Sequence, residues 1–485
     1  MLKRASAVAL AAFTLTGCIG LDPSYQRPTA PIPQTWPSGA AYAPATAAAT
    51  PAAQIGWRDF FADPKLKAII DLALTNNRDL RVAVANVAAA RAQYGAQRSQ
   101  LLPTFDATAG ATYARVPLST LGASTGASAP TGGATRDYYN EKLYNAGVGF
   151  NAYQLDLFGR VQSLSRAAQD QYFATEQARR AAQITLVSEV AADYLTLGSD
   201  TAQLKLAQDT AGSGGHYLEL TQRRFDAGVA SQLDVSQART TVETAKANAA
   251  HYTALTAQDR NALELIVGAP VPDALLPSDV QDQVTLLSDL PTGLSSDVLL
   301  DRPDVLEAED QLRAQNAQIG AARAAFFPSI SLTGSGGVSS ASLSQLFTGA
   351  SKAWSFEPSV SLPIFTGGLN TSNLRYAKAE RDADLAQYEK AVQTAFREVA
   401  DALAQRGTID QQLAAQQALV DAASDALRLS QALYERGSDS YLEVLTAQVT
   451  LYDAQQGLIA TRLTRANNLV TLYAALGGGL EGVAR

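Results

Sequence analysis

The chain of 485 residues has one cysteine, one methionine and two histidines. With Cys18 alone no internal disulfide can form, so packing must hold together a chain that is long for one domain. Met1 is the only methionine, which rules out a thioether relay for soft metals. His216 and His251 stand in no metal-ligand spacing, and no metal or cofactor site is expected. No P-loop, nucleophile elbow or paired-carboxylate motif occurs. The chain therefore reads as a non-enzyme with no energy source of its own. Basic residues are in the minority, 38 Lys and Arg against 46 Asp and Glu for a net charge of −8, which argues against a nucleic-acid partner. No apolar run after residue 18 has the length of a membrane helix, so any membrane crossing must be made by strands. Proline is missing from Gly159 to Ala269 and again from Ile364 to Arg485.

Those proline-free runs far exceed ordinary helices of about 11–12 residues. Each contains one copy of an internal repeat. Phe225-Asp-Ala-Gly-Val-Ala-Ser-Gln-Leu-Asp-Val-Ser-Gln-Ala238 aligns without a gap on Tyr434-Glu-Arg-Gly-Ser-Asp-Ser-Tyr-Leu-Glu-Val-Leu-Thr-Ala447. The pairs Gly228/Gly437, Leu233/Leu442 and Asp234/Glu443 mark it. Each copy predicts an antiparallel helical hairpin that turns at its glycine, which takes a positive φ at no steric cost. Asp, Ser or Thr just beyond the glycine caps the returning helix. Arg160 to Asp226 as one helix is about 100 Å long. An interruption is expected at Gly212-Ser-Gly-Gly215, ahead of His216.

At the N-terminus, Lys3 and Arg4 precede a short apolar core, and Leu15-Thr-Gly-Cys18 looks like the lipobox of bacterial lipoproteins. Residues 1–17 are then a signal peptide and Cys18 a lipidated terminus; an acylated terminus anchors stably when it carries more than one chain. Ile19, rather than Asp, follows Cys18, which favours the outer membrane. Seven prolines from Pro23 to Pro51 make 18–63 an extended tether. Asp63-Pro64 then caps and opens a helix whose apolar stripe includes Leu66, Ile69 and Ile70.

A second repeat aligns Asn77–Leu80 with Arg302–Val305 and Pro103 with Pro328; each proline opens an alternating segment. Phe105, Ala107, Ala109, Ala111 and Tyr113 oppose Thr104, Asp106, Thr108 and Thr112. Tyr144, Ala146, Val148, Phe150 and Ala152 oppose Asn145, Gly147, Gly149 and Asn151. Ile330, Leu332 and Val338 oppose serines and Thr333, and Trp354, Phe356, Val360, Leu362 and Ile364 oppose Ser355, Glu357, Ser359 and Ser361. Period-two segments of about 9–11 residues, apolar out and polar in, are the pattern of outer-membrane strands. Four strands close neither a barrel nor a sandwich, so closure needs several chains. A soluble sandwich and a coiled-coil lipoprotein scaffold are the competing readings, and the strands with the lipobox weigh against both.

Arg302-Pro-Asp-Val305, Ala321-Ala-Arg-Ala-Ala-Phe-Phe-Pro328, Pro363-Ile-Phe-Thr-Gly-Gly368 and the two Gly-x-x-x-x-Leu-[Asp/Glu]-Val turns together resemble the TolC-like outer-membrane factors, in the lipoprotein branch of OprM- and NodT-type proteins. The resemblance spans nearly the whole chain. It implies a mixed α/β membrane protein: a homotrimer whose 12-stranded β-barrel, four strands per chain, continues into a long periplasmic α-helical barrel with an equatorial domain. The implied divisions are helices at 64–102, a β-hairpin at 103–157, a helical hairpin at 158–269, an equatorial linker at 270–303, a helix at 304–327, a second β-hairpin at 328–365, a second helical hairpin at 366–476 and a tail at 477–485. The implied function is an exit duct in the outer membrane. It would pass drugs or other small toxic compounds delivered by an inner-membrane pump of the resistance-nodulation-division type and a periplasmic adaptor. Protein export of type I and metal efflux are the alternatives within the family. The resemblance also places a periplasmic gate at the turns, at Asp234, Tyr434, Asp439, Leu442 and Glu443. Tyr434 matches a linking Tyr and Glu443 an acidic ring position. Asp439 stands where some members have Arg, and Thr446 replaces another acid. Ordinary helix caps are the other reading of these acids.

Overall fold

The computed structural model describes residues 20–42, 55–117, 138–279 and 295–479. Cys18, the leader, residues 43–54 of the expected tether, residues 118–137, residues 280–294 of the expected linker and the end of the tail lie outside them. The described residues fall into two compact units, one drawn from 1–26, 90–172 and 311–384, the other from 27–89, 173–310 and 385–485.

The helices, in chain order, are α1 (Trp57–Phe60), α2 (Pro64–Asn76), α3 (Arg78–Ser99), α4 (Arg160–Asp226), α5 (Gln232–Val267), α6 (Pro303–Ala324), α7 (Leu369–Glu435) and α8 (Tyr441–Ala475). Helices α4 and α7 are both 67 residues long. Among the described residues no helix is long and apolar enough to cross a membrane. The expected break at Gly212–Gly215 does not occur, and α4 runs through it as unbroken helix. Gly214 is buried there, and a Cβ on it would come within 3.3 Å of Val242 Cγ2 on α5. That glycine permits a close helix approach rather than a bend, and the hydrogen-bonded turns on either side outweigh its low helix propensity.

The first unit contains a four-stranded antiparallel sheet, β1 (Asp106–Pro117), β2 (Tyr138–Leu155), β3 (Ser329–Ser340) and β4 (Lys352–Ser361), in the order β1-β2-β3-β4. The register puts Ala107, Ala109, Ala111 and Tyr113 on one face with Tyr144, Ala146, Val148, Phe150, Ile330, Leu332, Trp354, Phe356 and Val360. This face is bare: Trp354 is 82% exposed and Val360 67%. The opposite face carries hydroxyls, which pair across strands as Ser331 with Ser359 (2.8 Å) and Ser335 with Ser355 (2.9 Å).

The register also corrects the expected alternation in β2. Between Phe150 and Tyr153 the pairing slips, so that Asn151 and Ala152 form a bulge. Ala152 has φ 53°, and its N–H donates to Thr333 Oγ1 at 3.2 Å. The slip removes Ala152 from the apolar row and brings Tyr153 and Leu155 into it, opposite Leu332 and Ile330. A strict period of two would have turned those two side chains to the hydroxyl face. In the same unit the tether is fixed. Asp22 accepts from Ser163 and pairs with Arg166, Asn316 donates to the Pro23 carbonyl at 2.7 Å, and Arg323 donates to the Leu21 carbonyl at 3.0 Å. A Cβ on Gly320 would collide with the Asp22 carboxylate, so Gly320 is where the tether seats on α6.

The second unit has a core where α1 and α2 meet the end of α8. Trp57, Phe60, Phe61, Leu66, Ile69 and Ile70 are fully buried, and Tyr473 stacks on Phe60 with ring centroids 3.8 Å apart. Asp63 accepts from Lys65 N–H as the cap of α2, with Pro64 at the first position. Residues 27–42 of the tether lie along this unit. Arg27 pairs with buried Glu309, the Ser296 backbone and hydroxyl donate to the Gln34 and Pro33 carbonyls, and Trp36 stacks on Phe396.

Arg302 ties three elements of this unit together. It is 8% exposed and donates to Asp304, to Glu398 on α7 (2.9 Å) and to the Ala475 carbonyl at the end of α8 (2.6 Å). Arg302→Ala leaves a buried carbonyl without its donor and two carboxylates without their cation. A loss of about 1–3 kcal/mol is expected, read as a lower melting temperature of the purified protein. Arg302→Lys recovers only part of it, since one ammonium cannot reproduce the planar fork.

Candidate functional site: the paired helical turns

The turns after α4 and α7 are built identically. Gly228 (φ 73°) donates to the Phe225 carbonyl and Val229 to that of Arg224; Gly437 (φ 74°) donates to Tyr434 and Ser438 to Leu433. Each is a Schellman motif, with glycine at the left-handed position that closes the helix. Nothing lies within 4 Å of a Cβ built on either glycine, so the requirement is conformational rather than steric. Two-residue spacers then lead to Ser231 and Ser440, and the returning helices start at Gln232 and Tyr441, a few residues later than their glycines.

The five gate candidates separate at this point. Asp234 is half-buried and forms a reciprocal capping box with Ser231: its backbone N–H donates to Ser231 Oγ (3.1 Å), and its carboxylate accepts from Ser231 N–H (2.8 Å). Asp439 accepts from Ser440 N–H at 2.7 Å. Both carboxylates are therefore held by backbone donors at a helix start, where the macrodipole favours negative charge. Leu442 and Glu443 are exposed in the first turn of α8. Tyr434 is buried, in a small apolar cluster with Ala238, Tyr441 and Val444, backed by Leu218, Leu427 and Leu445. This cluster joins the two hairpins at their turns.

Three features of the cluster were not among the sequence candidates. The Tyr434 and Tyr441 rings are tilted at 60° with centroids 5.5 Å apart. The Arg224 guanidinium lies over the Tyr434 ring, 4.3 Å from its centroid. The Tyr434 hydroxyl is buried and has no hydrogen-bond partner among the described residues. Burial pushes the Tyr441 phenol up to about 12, assisted by Tyr434 and by the charge of Asp234. Burial, with Glu435 beside it, also raises Tyr217. Tyr441 has Gln232 as its counterpart in the first repeat, and Arg224 has Leu433, so the gap-free alignment carries no sign of either contact.

A family model described as "Outer membrane efflux protein" matches residues 69–269 and 294–478. The chain belongs to the outer membrane efflux protein family. It is 46% identical over 479 residues to the antibiotic efflux pump outer membrane protein ArpC of Pseudomonas putida, with 99% of this chain and 96% of the relative covered. The figures are the same for the toluene efflux pump outer membrane protein TtgC, also of Pseudomonas putida. The crystal structure of the open state of the Neisseria gonorrhoeae MtrE outer membrane channel superposes with a TM-score of 0.84 at 39% identity, covering 95% of this chain and 99% of that one. In an outer membrane efflux protein the four-stranded sheet with its bare apolar face is one chain's part of the membrane channel, and the role of the protein is that of an exit duct.

Because both turns demand a left-handed residue, Gly228→Ala and Gly437→Ala each cost about 1–2 kcal/mol. The loss is expected as faster amide exchange at Val229 and Ser438, with the rest of each helix unchanged.

Proposed function

We propose that three copies of this chain close a 12-stranded barrel in the outer membrane and pass small toxic compounds outward. The compounds are received from a proton-driven inner-membrane pump of the resistance-nodulation-division type through a periplasmic adaptor. The observation that carries the reading is the sheet. It has an apolar face, a hydroxyl face, and two edge strands, β1 and β4, whose outer backbone groups no described strand pairs. In hydrocarbon each such group costs several kcal/mol, so the edges must meet other strands. Four strands per chain fall short of the roughly eight of the smallest barrels, and three chains supply enough. The small-molecule reading rests on relatives named for toluene and antibiotic efflux.

Cys18 carries the lipid in this reading and puts the mature N-terminus at the membrane. The two glycine turns form the periplasmic gate, with Glu443 of each chain converging about the three-fold axis. Like charges brought together in a narrow throat repel and are stabilised by bound cations. Asp234 takes part through its capping box with Ser231, which fixes where α5 begins, while Asp439 accepts from Ser440 N–H just ahead of α8.

The purified protein is expected to run as a trimer by native mass and to conduct ions in a planar bilayer. Deletion of its gene should sensitise the cell to antibiotics or aromatic solvents. A monomer without conductance sinks the duct, whereas unchanged susceptibility with loss of a secreted protein moves the cargo to polypeptides.

At the gate, Glu443→Ala should raise single-channel conductance and weaken block by calcium. Unchanged calcium sensitivity would show that Glu443 does not line the throat.

A further inference from the structure

We propose that Arg115 and Lys142, at the loop end of the sheet's apolar face, hold a phosphate-bearing lipid headgroup of the outer leaflet. The inference rests on the channel reading above and adds to it a lipid that the barrel selects.

Charge divides cleanly between the two faces of the sheet. Among the described strand residues the acids are Asp106, Glu141 and Glu357. The register puts all three on the hydroxyl face, opposite Gly149, Ala114 and Thr333. The cations are Arg115, Lys142 and Lys352, and all three fall on the apolar face, opposite Asn140, Tyr113 and Val338. Each is exposed. Each also lies at the end of the sheet that carries the loops, away from the ends of β2 and β4 that lead to α4 and α7. In a chain with a net charge of −8, this patch is positive, with no described acid beside it on its face.

The tyrosines set the level of the patch. Tyr144 and Tyr153 stand nine residues apart on the apolar face of β2. At about 3.3 Å per residue and a tilt near 40° they span about 23 Å of height, close to the apolar band of about 25 Å that aromatic girdles flank in outer-membrane barrels. Lys142 is one step further out than Tyr144 on the same face, and Arg115 one step further out than Tyr113. A cation on the lipid face is costly at the midplane and nearly free at the interface, which is where headgroups lie.

The local geometry suits a phosphate. Arg115 and Lys142 are diagonal neighbours on adjacent strands, about 7–8 Å apart, so one anion can meet both side chains. Left alone the two charges repel; an anion between them removes the repulsion. The Arg115 guanidinium lies over the Tyr138 ring, 3.3 Å from its centroid, which leaves its N–H groups in the plane of the fork for two phosphate oxygens. The Tyr113 and Tyr144 hydroxyls share a hydrogen bond of 2.8 Å, which uses one of their two protons and leaves the other to donate. Below the cations the face continues through Ala111, Ala146 and Val148. A headgroup with acyl chains covers both parts, whereas free phosphate would use only the cations.

The test is native mass spectrometry of the full-length protein in mild detergent. It is titrated with lipid A carrying two phosphates, with the same lipid stripped of both, and with inorganic phosphate as competitor. The phosphorylated lipid should bind at least tenfold more tightly than the stripped one. Arg115→Gln and Lys142→Gln should each weaken it roughly fivefold. The double variant should bind both lipids alike. Arg115→Lys keeps the charge but loses the fork, and should fall between parent and Arg115→Gln.

Equal binding of the two lipids by the parent overturns the proposal, as does a double variant that binds like the parent. Inorganic phosphate that displaces the lipid at matched concentration makes the ligand a free anion and overturns it too. If the double variant melts early, the two lipids compared on the parent decide alone. A parent that is a monomer without conductance defeats the duct reading itself. A conducting trimer indifferent to the phosphates defeats only the lipid site.

Discussion

An open sheet edge cannot face hydrocarbon, because its N–H and C=O groups find no water there. That constraint governs this chain. The strands β1 and β4 end the sheet on either side with nothing described beyond them, while aromatic and branched side chains cover one face and serine hydroxyls the other. A soluble protein would bury the apolar face under helices; here Trp354 and Val360 stay bare. The sheet makes sense only as a fragment of a larger closed wall. The hydroxyl pairs between β3 and β4 and the bulge in β2 fix the register within one chain.

The helical part obeys a different rule. The long helices bury Ile, Leu, Val and Tyr side chains along their length, and specific contacts pin their ends. At one end of the hairpins the pins are the glycine turns and the aromatic cluster around Tyr434. Elsewhere they are the buried Arg302 with its three acceptor groups and the Phe60–Tyr473 stack. The tether adds a third kind, a strap of main-chain carbonyls taken up by Asn316, Arg323 and Ser296.

Much of this was legible in the sequence, for physical reasons that differ by element. The strands announced themselves because a half-buried strand must alternate, and the hairpins because two proline-free runs carry the same Gly-x-x-x-x-Leu-[Asp/Glu]-Val turn. The bulge was not legible. Ala152 is an ordinary strand residue by type, and only the pairing with Leu332 shows that the alternation has slipped past it. The Gly212–Gly215 stretch misled for the converse reason, since local propensity lost to the packing of Gly214 against Val242. At the turns the residue types were visible but their partners were not. Ser231 and Asp234 are three apart, so their capping box follows from spacing. Arg224 and Tyr434 belong to different hairpins, and a cation over a ring leaves no periodic trace in a sequence.

The equal length of α4 and α7 restricts how such a chain can change over generations. Both run 67 residues and end in turns that touch through Arg224 and Tyr434. One residue inserted in α4 alone would carry its turn about 1.5 Å past the other and rotate everything beyond the insertion by about 100°. Arg224 would then point away from the ring. Length variants in one half are therefore tolerated only when the other half acquires a matching one or when the insertion falls in a loop. The gap-free repeat at the two turns fits a pair of helices whose lengths must match.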